Sequence, residues 1–246
     1  MLIDSHVHLK HGDAEKTEYT ADEIVRTMDA VGIDRSVVFA MSTTTRRSIE
    51  MALDAVRQYP RRLIPYAYAL PNYERPVIRE LERALGELGF CGFKIHVGEC
   101  SLAEYVIDPV LALAARQGAL CLVDCRGQLW AVERMARDHP RCTLIVAHLG
   151  KYLCEDEALI DRCIGLAEQY PNIVLDLSGV VLPLKIVDAV ARVGAGRCVF
   201  GTDGPHLAPD TAGYARAALD QIRGLGLDPE DERAILGGTI GALLGI

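Results

Sequence analysis

The sequence alternates eight times between a short run rich in β-branched residues and a longer amphipathic stretch. Such alternation predicts α/β architecture, because each helix returns the chain to a new parallel strand. The strand candidates are LIDSHVHL (2–9), RSVVFAM (35–41), RLIPYAYAL (62–70), CGFKIHV (91–97), ALCLVDC (119–125), CTLIVAHL (142–149), NIVLDLSG (172–179) and RCVFGTDG (197–204). The helices between them carry boundary signals: an Asp-Glu start in TADEIVRTMDAVG, a closing Gly there and in VLALAARQG, and YP or HP dipeptides ahead of three strands. Eight units favour a closed (β/α)8 barrel, the TIM barrel, over an open doubly wound sheet. The open sheet usually has fewer strands and a Gly-rich phosphate turn, and no GxGxxG opens a helix here.

A chain of 246 residues is the right length for one such barrel, and no composition break marks a linker, so residues 1–246 are read as a single domain. The tail GLDPEDERAILGGTIGALLGI (226–246) reads as one extra helix that closes an end of the barrel or packs on a second copy, so a homo-oligomer stays open.

A formal charge of −8 argues against a nucleic-acid partner, which needs clustered Lys and Arg, and directs attention to a small-molecule substrate. There is no apolar run of about 18 residues to span a bilayer. The amino terminus, MLIDSHVHLK, reaches a polar motif almost at once rather than an apolar signal segment, so the expected location is cytoplasmic. The eight cysteines show no CxxC pair, and Cys91, Cys121, Cys142 and Cys198 open apolar runs, as small core hydrophobes do.

Catalytic groups of such barrels project from the C-terminal strand ends. His6 and His8 end the first strand, Lys94 and His96 the fourth, Asp124 and Cys125 the fifth, His148 the sixth, Asp176 and Ser178 the seventh and Asp203 the eighth. Residues two apart in a strand share a face, so His6 and His8 point into one space, where their imidazoles suit a divalent metal. A carboxylate on the eighth strand, Asp203, extends the ligand set. Asp4 shares the parity of the histidine pair and is expected to orient one of them.

Blander readings stand beside these. Lys94 either contacts a substrate anion, pairs with an inner carboxylate or, least expected, is carbamylated to bridge two metals. Arg126 is placed to meet an acidic substrate, whereas Arg46 and Arg47 read as a solvated surface. Ser178 and Asp176 bind substrate or form a polar packing layer. His11 and His139 read as exposed loop residues, and His206, just beyond Asp203, is a substrate-binding candidate. No GxSxG elbow is present, which disfavours a serine nucleophile.

Taken in order, IDSHVH, GFKIH, IVAHLG, NIVLDLSG, VFGTDGP and ILGGTIGALLGI resemble the metal-dependent amidohydrolase superfamily, in the branch related to aminocarboxymuconate-semialdehyde decarboxylase and its hydrolase cousins. The resemblance covers nearly the whole chain. It implies a divalent metal, zinc first, at His6, His8 and Asp203. It further implies that Asp203 takes a proton from the attacking water and that His148 orients or polarises the reacting group. The fifth strand departs from the pattern, with LCLVDCRG where a histidine ligand is usual. Asp124 is the favoured replacement, with Cys125, a swung-in His96 or a site without tightly bound metal as the alternatives. The expected reaction is hydrolysis of an amide, lactone or related carbonyl bond. Non-oxidative decarboxylation of an unsaturated or aromatic acid is the runner-up, and a non-catalytic barrel the third reading. Short loops suggest a compact substrate, Lys94, His96, Arg126, Ser178 and His206 being the residues expected around it.

Overall fold

In the computed structural model, which describes residues 1–71, 76–206 and 210–246, eight parallel strands follow one another in chain order around one sheet. They are β1 (Ile3–Lys10), β2 (Arg35–Ala40), β3 (Leu63–Tyr68), β4 (Gly92–His96), β5 (Leu120–Asp124), β6 (Thr143–Val146), β7 (Ile173–Asp176) and β8 (Cys198–Val199). The sheet closes on itself through the segment after β8. Ser5 N donates to Phe200 O at 3.0 Å, Asp203 N to His6 O at 2.9 Å and His8 N to Gly204 O at 2.7 Å. The fold is thus the (β/α)8 TIM barrel, in one domain.

The outer layer consists of α1 (Ala21–Val31), α2 (Thr45–Gln58), α3 (Pro76–Glu87), α4 (Glu104–Gln117), α5 (Leu129–Asp138), α6 (Glu157–Gln169), α7 (Pro183–Val193) and α8 (Thr211–Arg223). Local chemistry sets their ends. Thr20 and Glu23 form a reciprocal capping box at the start of α1, and Gly32 stops it in the left-handed region at φ 86°. Among the described residues, no helix is long and apolar enough to cross a membrane.

Strand alternation sorts apolar side chains into two cores. Ile3, Phe39, Tyr66, Tyr68, Leu122, Ile145 and Val174 fill the barrel, while Val7, Val38, Phe93, Val123 and Leu144 face the helices. The cysteines behave as core hydrophobes: all eight are free, and all but the half-buried Cys91 are buried.

Several strands end sooner than their hydrophobic patterns suggest, β6, β7 and β8 most clearly. β6 stops at Val146 because His148 and Leu149 turn left-handed, at φ 59° and 48°. β8 keeps only two residues, the rest of its run being taken up in closing the barrel against β1. The tail is not one uninterrupted helix. It comprises α9 (Pro229–Arg233), a wide turn over Ala234–Gly238 and α10 (Thr239–Leu244). The break falls where the first residue of the chain crosses, since a Cβ on Gly237 would lie 2.1 Å from Met1 O. Beyond it, Ile240 enters the inner core with Leu243 and Leu244 packed against that core, closing the end of the barrel where the strands begin.

Candidate metal centre and active-site cleft

At the opposite end, the strand termini surround a cleft of about 390 Å³ whose lining includes His8, Lys94, His96, Asp124, His148 and Asp203. Its floor is a set of buried imidazoles. The His6 ring stacks between His8 and His148, with centroids 5.3 and 5.1 Å away, and His11 stacks on His8 at 4.3 Å.

Asp203 Oδ1 lies 3.0 Å from His6 Nε2 and 2.9 Å from His8 Nε2, so two ring nitrogens and one carboxylate oxygen converge. Burial opposes the charge on Asp203, but His6 and His148 outweigh it and, with hydrogen bonds from His6 and His8, hold the carboxyl well below its usual range. Burial and the adjacent His11 keep His8 well below the ordinary imidazole value, and hence neutral, as a metal ligand must be. Two groups of ligand atoms, each lying within 4.8 Å of one another, occur among the described residues: His6, His8 and Asp203, and His6, His148 and Asp176. The mixed imidazole and carboxylate donors of the first group suit zinc and similar ions.

Lys94 sits at the junction. Its Nζ is 2.7 Å from His6 Nε2 and 5.1 Å from the centre of the Phe39 ring. Burial lowers the Lys94 pKa, against the pull of Asp124, Asp203 and Asp176. Were His6 to hold a metal, this amine would have to be neutral or turned aside; burial favours its neutral form and the three carboxylates its charged one.

His148 is fixed by β7. Its Nδ1 lies 2.9 Å from Ser178 O, a group that only accepts, so Nδ1 carries the proton and Nε2 is left as the free acceptor. Burial lowers its pKa, against the attraction of Asp203. Asp176 accepts from His148 N at 3.1 Å, lies 3.2 Å from His6 Nδ1 and accepts a short hydrogen bond from the Ser178 hydroxyl. Ser178 and Asp176 therefore sit beneath the rings, where they hold the two histidines, rather than in the cleft wall.

The fifth-strand end divides the three residues considered for the missing histidine. Cys125 turns away, donating to Gly150 O at 3.2 Å, and burial pushes its thiol up to about 11. Asp124 and His96 face the cleft and pair with each other, Oδ2 to Nε2, at 3.2 Å. Burial opposes ionisation of Asp124, but the hydrogen bond with His96 and the charges of His148 and Lys94 keep its carboxyl well below the usual range. Asp124 is 3.7 Å from His148 Nε2 and stands outside both groups of ligand atoms.

Other expected residues divide between the cleft and its surroundings. His11 and Arg126 line it. His206 lies beside it, 3.0 Å from Thr202 O and against the Tyr214 ring at 3.6 Å. Arg46 and Arg47 are exposed and pair with Glu50, and His139 meets Asp108. Asp4 corrects the parity argument. A bulge between Asp4 and Val7 flips the alternation, so the Asp4 side chain lies with Val7 on the α1 side and meets His6 only through the backbone, accepting from His6 N at 3.1 Å.

Lys151, Tyr152 and Met41 also line the cleft, though nothing in the pattern singles them out; Lys151 follows His148 by three residues in IVAHLGK. Gly201 is a further position without which the site cannot close. A Cβ there would lie 2.6 Å from Asp176 Oδ1 and 2.9 Å from the His6 Cβ. Gly201→Ala is accordingly expected to cost about 2 kcal/mol of stability. It should also weaken binding of a divalent metal, as read by thermal unfolding and calorimetry; a variant matching the parent in both would show that this contact relaxes freely.

A family model described as amidohydrolase matches residues 3–246. The chain belongs to the amidohydrolase family. No match was found among curated proteins. Among solved structures, an amidohydrolase from Burkholderia multivorans with bound zinc shares 18% identity at a TM-score of 0.79, covering 100% of this chain and 99% of the other. The 5-carboxyvanillate decarboxylase of Sphingomonas paucimobilis shares 14% at 0.78, covering 100% and 99%. The 2,6-dihydroxybenzoate decarboxylase of Rhizobium shares 18% at 0.72, covering 99% and 98%. At these identities the likeness speaks for the fold, and the chemistry of this amidohydrolase must come from its own residues.

Proposed function

We propose that this amidohydrolase is a metal-dependent enzyme that hydrolyses an amide, lactone or related carbonyl bond of a small molecule. The observation that carries the reading is the convergence of His6, His8 and Asp203, with His148 beside them at the floor of one cleft. A divalent ion held by these three residues, zinc first, supplies Lewis acidity that polarises a carbonyl and makes water a better nucleophile near neutral pH.

The chain's own groups provide the proton traffic. Asp203 keeps 13% of its side chain exposed, which puts its carboxylate oxygen at the cleft surface, where the proton of an attacking water can reach it. His148 presents a bare Nε2 while Ser178 O holds its other nitrogen, so it can take up a proton and, once charged, donate to the reacting oxygen. Lys94, His96 and Arg126 surround the space left for substrate. Non-oxidative decarboxylation of an unsaturated or aromatic acid is the second reading. It is supported by the decarboxylases among the similar folds and needs the same residues to move one proton.

Metal analysis of the purified protein beside His6→Ala and His8→Ala tests the core of the proposal. The parent is expected to hold about one divalent ion per chain and each variant to lose it together with turnover. Equal metal and equal activity in all three would sink the site. A panel of lactones, amides and aromatic acids run in ¹⁸O-water separates the reactions, since hydrolysis places the label in the organic product whereas decarboxylation releases carbon dioxide and leaves the organic product unlabelled.

A further inference from the structure

A metal-binding imidazole is ordinarily aimed by a hydrogen bond from its second ring nitrogen, which fixes both the tautomer and the direction of the free lone pair. His148 has such a tie, Nδ1 lying 2.9 Å from Ser178 O. His8 is held far less well in this way. Lys10 O stands 3.4 Å from its Nδ1, long for an N–H···O bond, yet His8 Nε2 has to meet Asp203 Oδ1 at 2.9 Å.

Rings take over the task. Phe39 meets His8 edge-on at 4.6 Å and 67°, and His6 lies 5.3 Å away at 28°. Nearest and most nearly parallel of the three is His11, at 4.3 Å and 9°. His11 is itself anchored: its Nε2 lies 2.7 Å from Pro205 O, which only accepts, so Nε2 donates, and Tyr19 meets its ring edge-to-face at 5.8 Å. The loop that carries it closes on itself, His11 N donating to Thr17 O at 3.0 Å and Lys10 Nζ pairing with Glu18 at 2.8 Å.

His11 thus joins the two segments that bring ligand atoms together. At one side it covers the face of His8 from β1, and at the other it bonds Pro205, two residues beyond Asp203. The pattern reads His11 as an exposed loop residue, whereas it stands half-buried in the cleft wall.

We propose that His11 is a positioning residue whose stacked ring fixes the plane of His8 and so aims His8 Nε2 at the point it shares with His6 Nε2 and Asp203 Oδ1. The χ2 torsion of a histidine is soft, and a flat ring laid against one face removes most of that freedom. His11 needs no contact with substrate for this. The inference takes from the reading above only that His8 is a metal ligand, and the ring stack can be measured with or without an ion.

Three substitutions separate the ring from the hydrogen bond. His11→Phe keeps a flat ring and loses the donor, His11→Gln keeps a donor for Pro205 O and loses the ring, and His11→Ala loses both. Zinc affinity, read by competition with a chromophoric chelator, is expected to stay within about threefold of the parent in His11→Phe and to fall by about tenfold in His11→Gln and His11→Ala. In the NMR spectrum of the metal-free protein, the His8 ring protons, assigned by comparison with His8→Ala, should be shifted upfield by the ring above them in the parent and in His11→Phe, and should lose that shift in the other two. Matching thermal unfolding of the metal-free proteins shows that folding is not what changed. Parent-like zinc affinity in His11→Ala or His11→Gln, or a fall in His11→Phe as large as in His11→Ala, overturns the proposal. A parent that takes up no zinc removes the metal reading and leaves the ring shift to decide: its retention in His11→Phe alone upholds the stack, and an equal shift in all four proteins overturns it.

Discussion

On the proposed function, Asp203→Asn is expected to reduce kcat/KM by roughly a thousandfold and the affinity for a divalent metal, probed with zinc, by about a hundredfold, while leaving the protein folded. The substitution keeps the shape of the side chain and changes its charge. Asp203 Oδ1 is the oxygen on which His6 Nε2 and His8 Nε2 converge, and those rings, together with His148, hold it ionised. An amide in its place offers a neutral oxygen donor to the metal and cannot take up a proton near neutral pH, so one change removes both proposed roles. The fold should survive because the backbone contact that closes the barrel, Asp203 N to His6 O, does not involve the side chain. Competition with a chromophoric chelator gives the zinc affinity, and thermal unfolding gives the stability. Full activity and unchanged zinc affinity would show that the carboxylate is neither ligand nor base.

The barrel was legible in the sequence because strand and helix periods alternate without interruption, and parallel strands buried on both faces leave nearly unbroken apolar runs such as CLV and LIV. The site was legible for a related reason. Polar residues are costly inside a barrel, so those that interrupt the apolar runs at strand ends, His6, His8, Lys94, Asp124, His148 and Asp203, mark the candidate site, and the structure gathers them at one cleft. What period alone cannot foresee is where the ladder breaks. The bulge after Asp4 reverses its face, and the left-handed turn after Val146 carries His148 out of the strand and places Lys151 over the cleft. Gly201 was likewise invisible, since its part is to leave room for Asp176 and the His6 Cβ, a property of three strands together. The choice among Asp124, Cys125 and His96 needed coordinates as well, because the direction of each depends on partners from neighbouring loops, Gly150 for Cys125 and each other for Asp124 and His96.

The same bulge makes Asp4 the support from which the largest stability loss is expected. Its carboxylate accepts from Thr202 N at 3.0 Å, from Thr202 Oγ1 at 2.6 Å and from His6 N at 3.1 Å, joining β1 to the segment that closes the barrel after β8. Asp4→Ala leaves two backbone donors and a hydroxyl without their acceptor in a place where Asp4 itself is only 2% exposed. Each unsatisfied buried donor costs on the order of 1 to 3 kcal/mol, and the hydroxyl can rotate to another partner, so a total of about 3 kcal/mol is expected. For a chain of this length that lowers Tm by roughly 10 °C. Asp4→Asn retains an acceptor oxygen and should recover more than half of the loss, which separates hydrogen bonding from simple volume. The loss should also extend to the proposed metal centre, because His6 N and the Thr202–Asp203 backbone align the residues proposed as its ligands. Zinc affinity in Asp4→Ala should therefore fall by at least about tenfold although Asp4 touches neither ring. Thermal unfolding of the three proteins with and without zinc measures both effects. A Tm for Asp4→Ala within a degree or two of the parent would show that the β1–β8 seam is held by its backbone bonds alone.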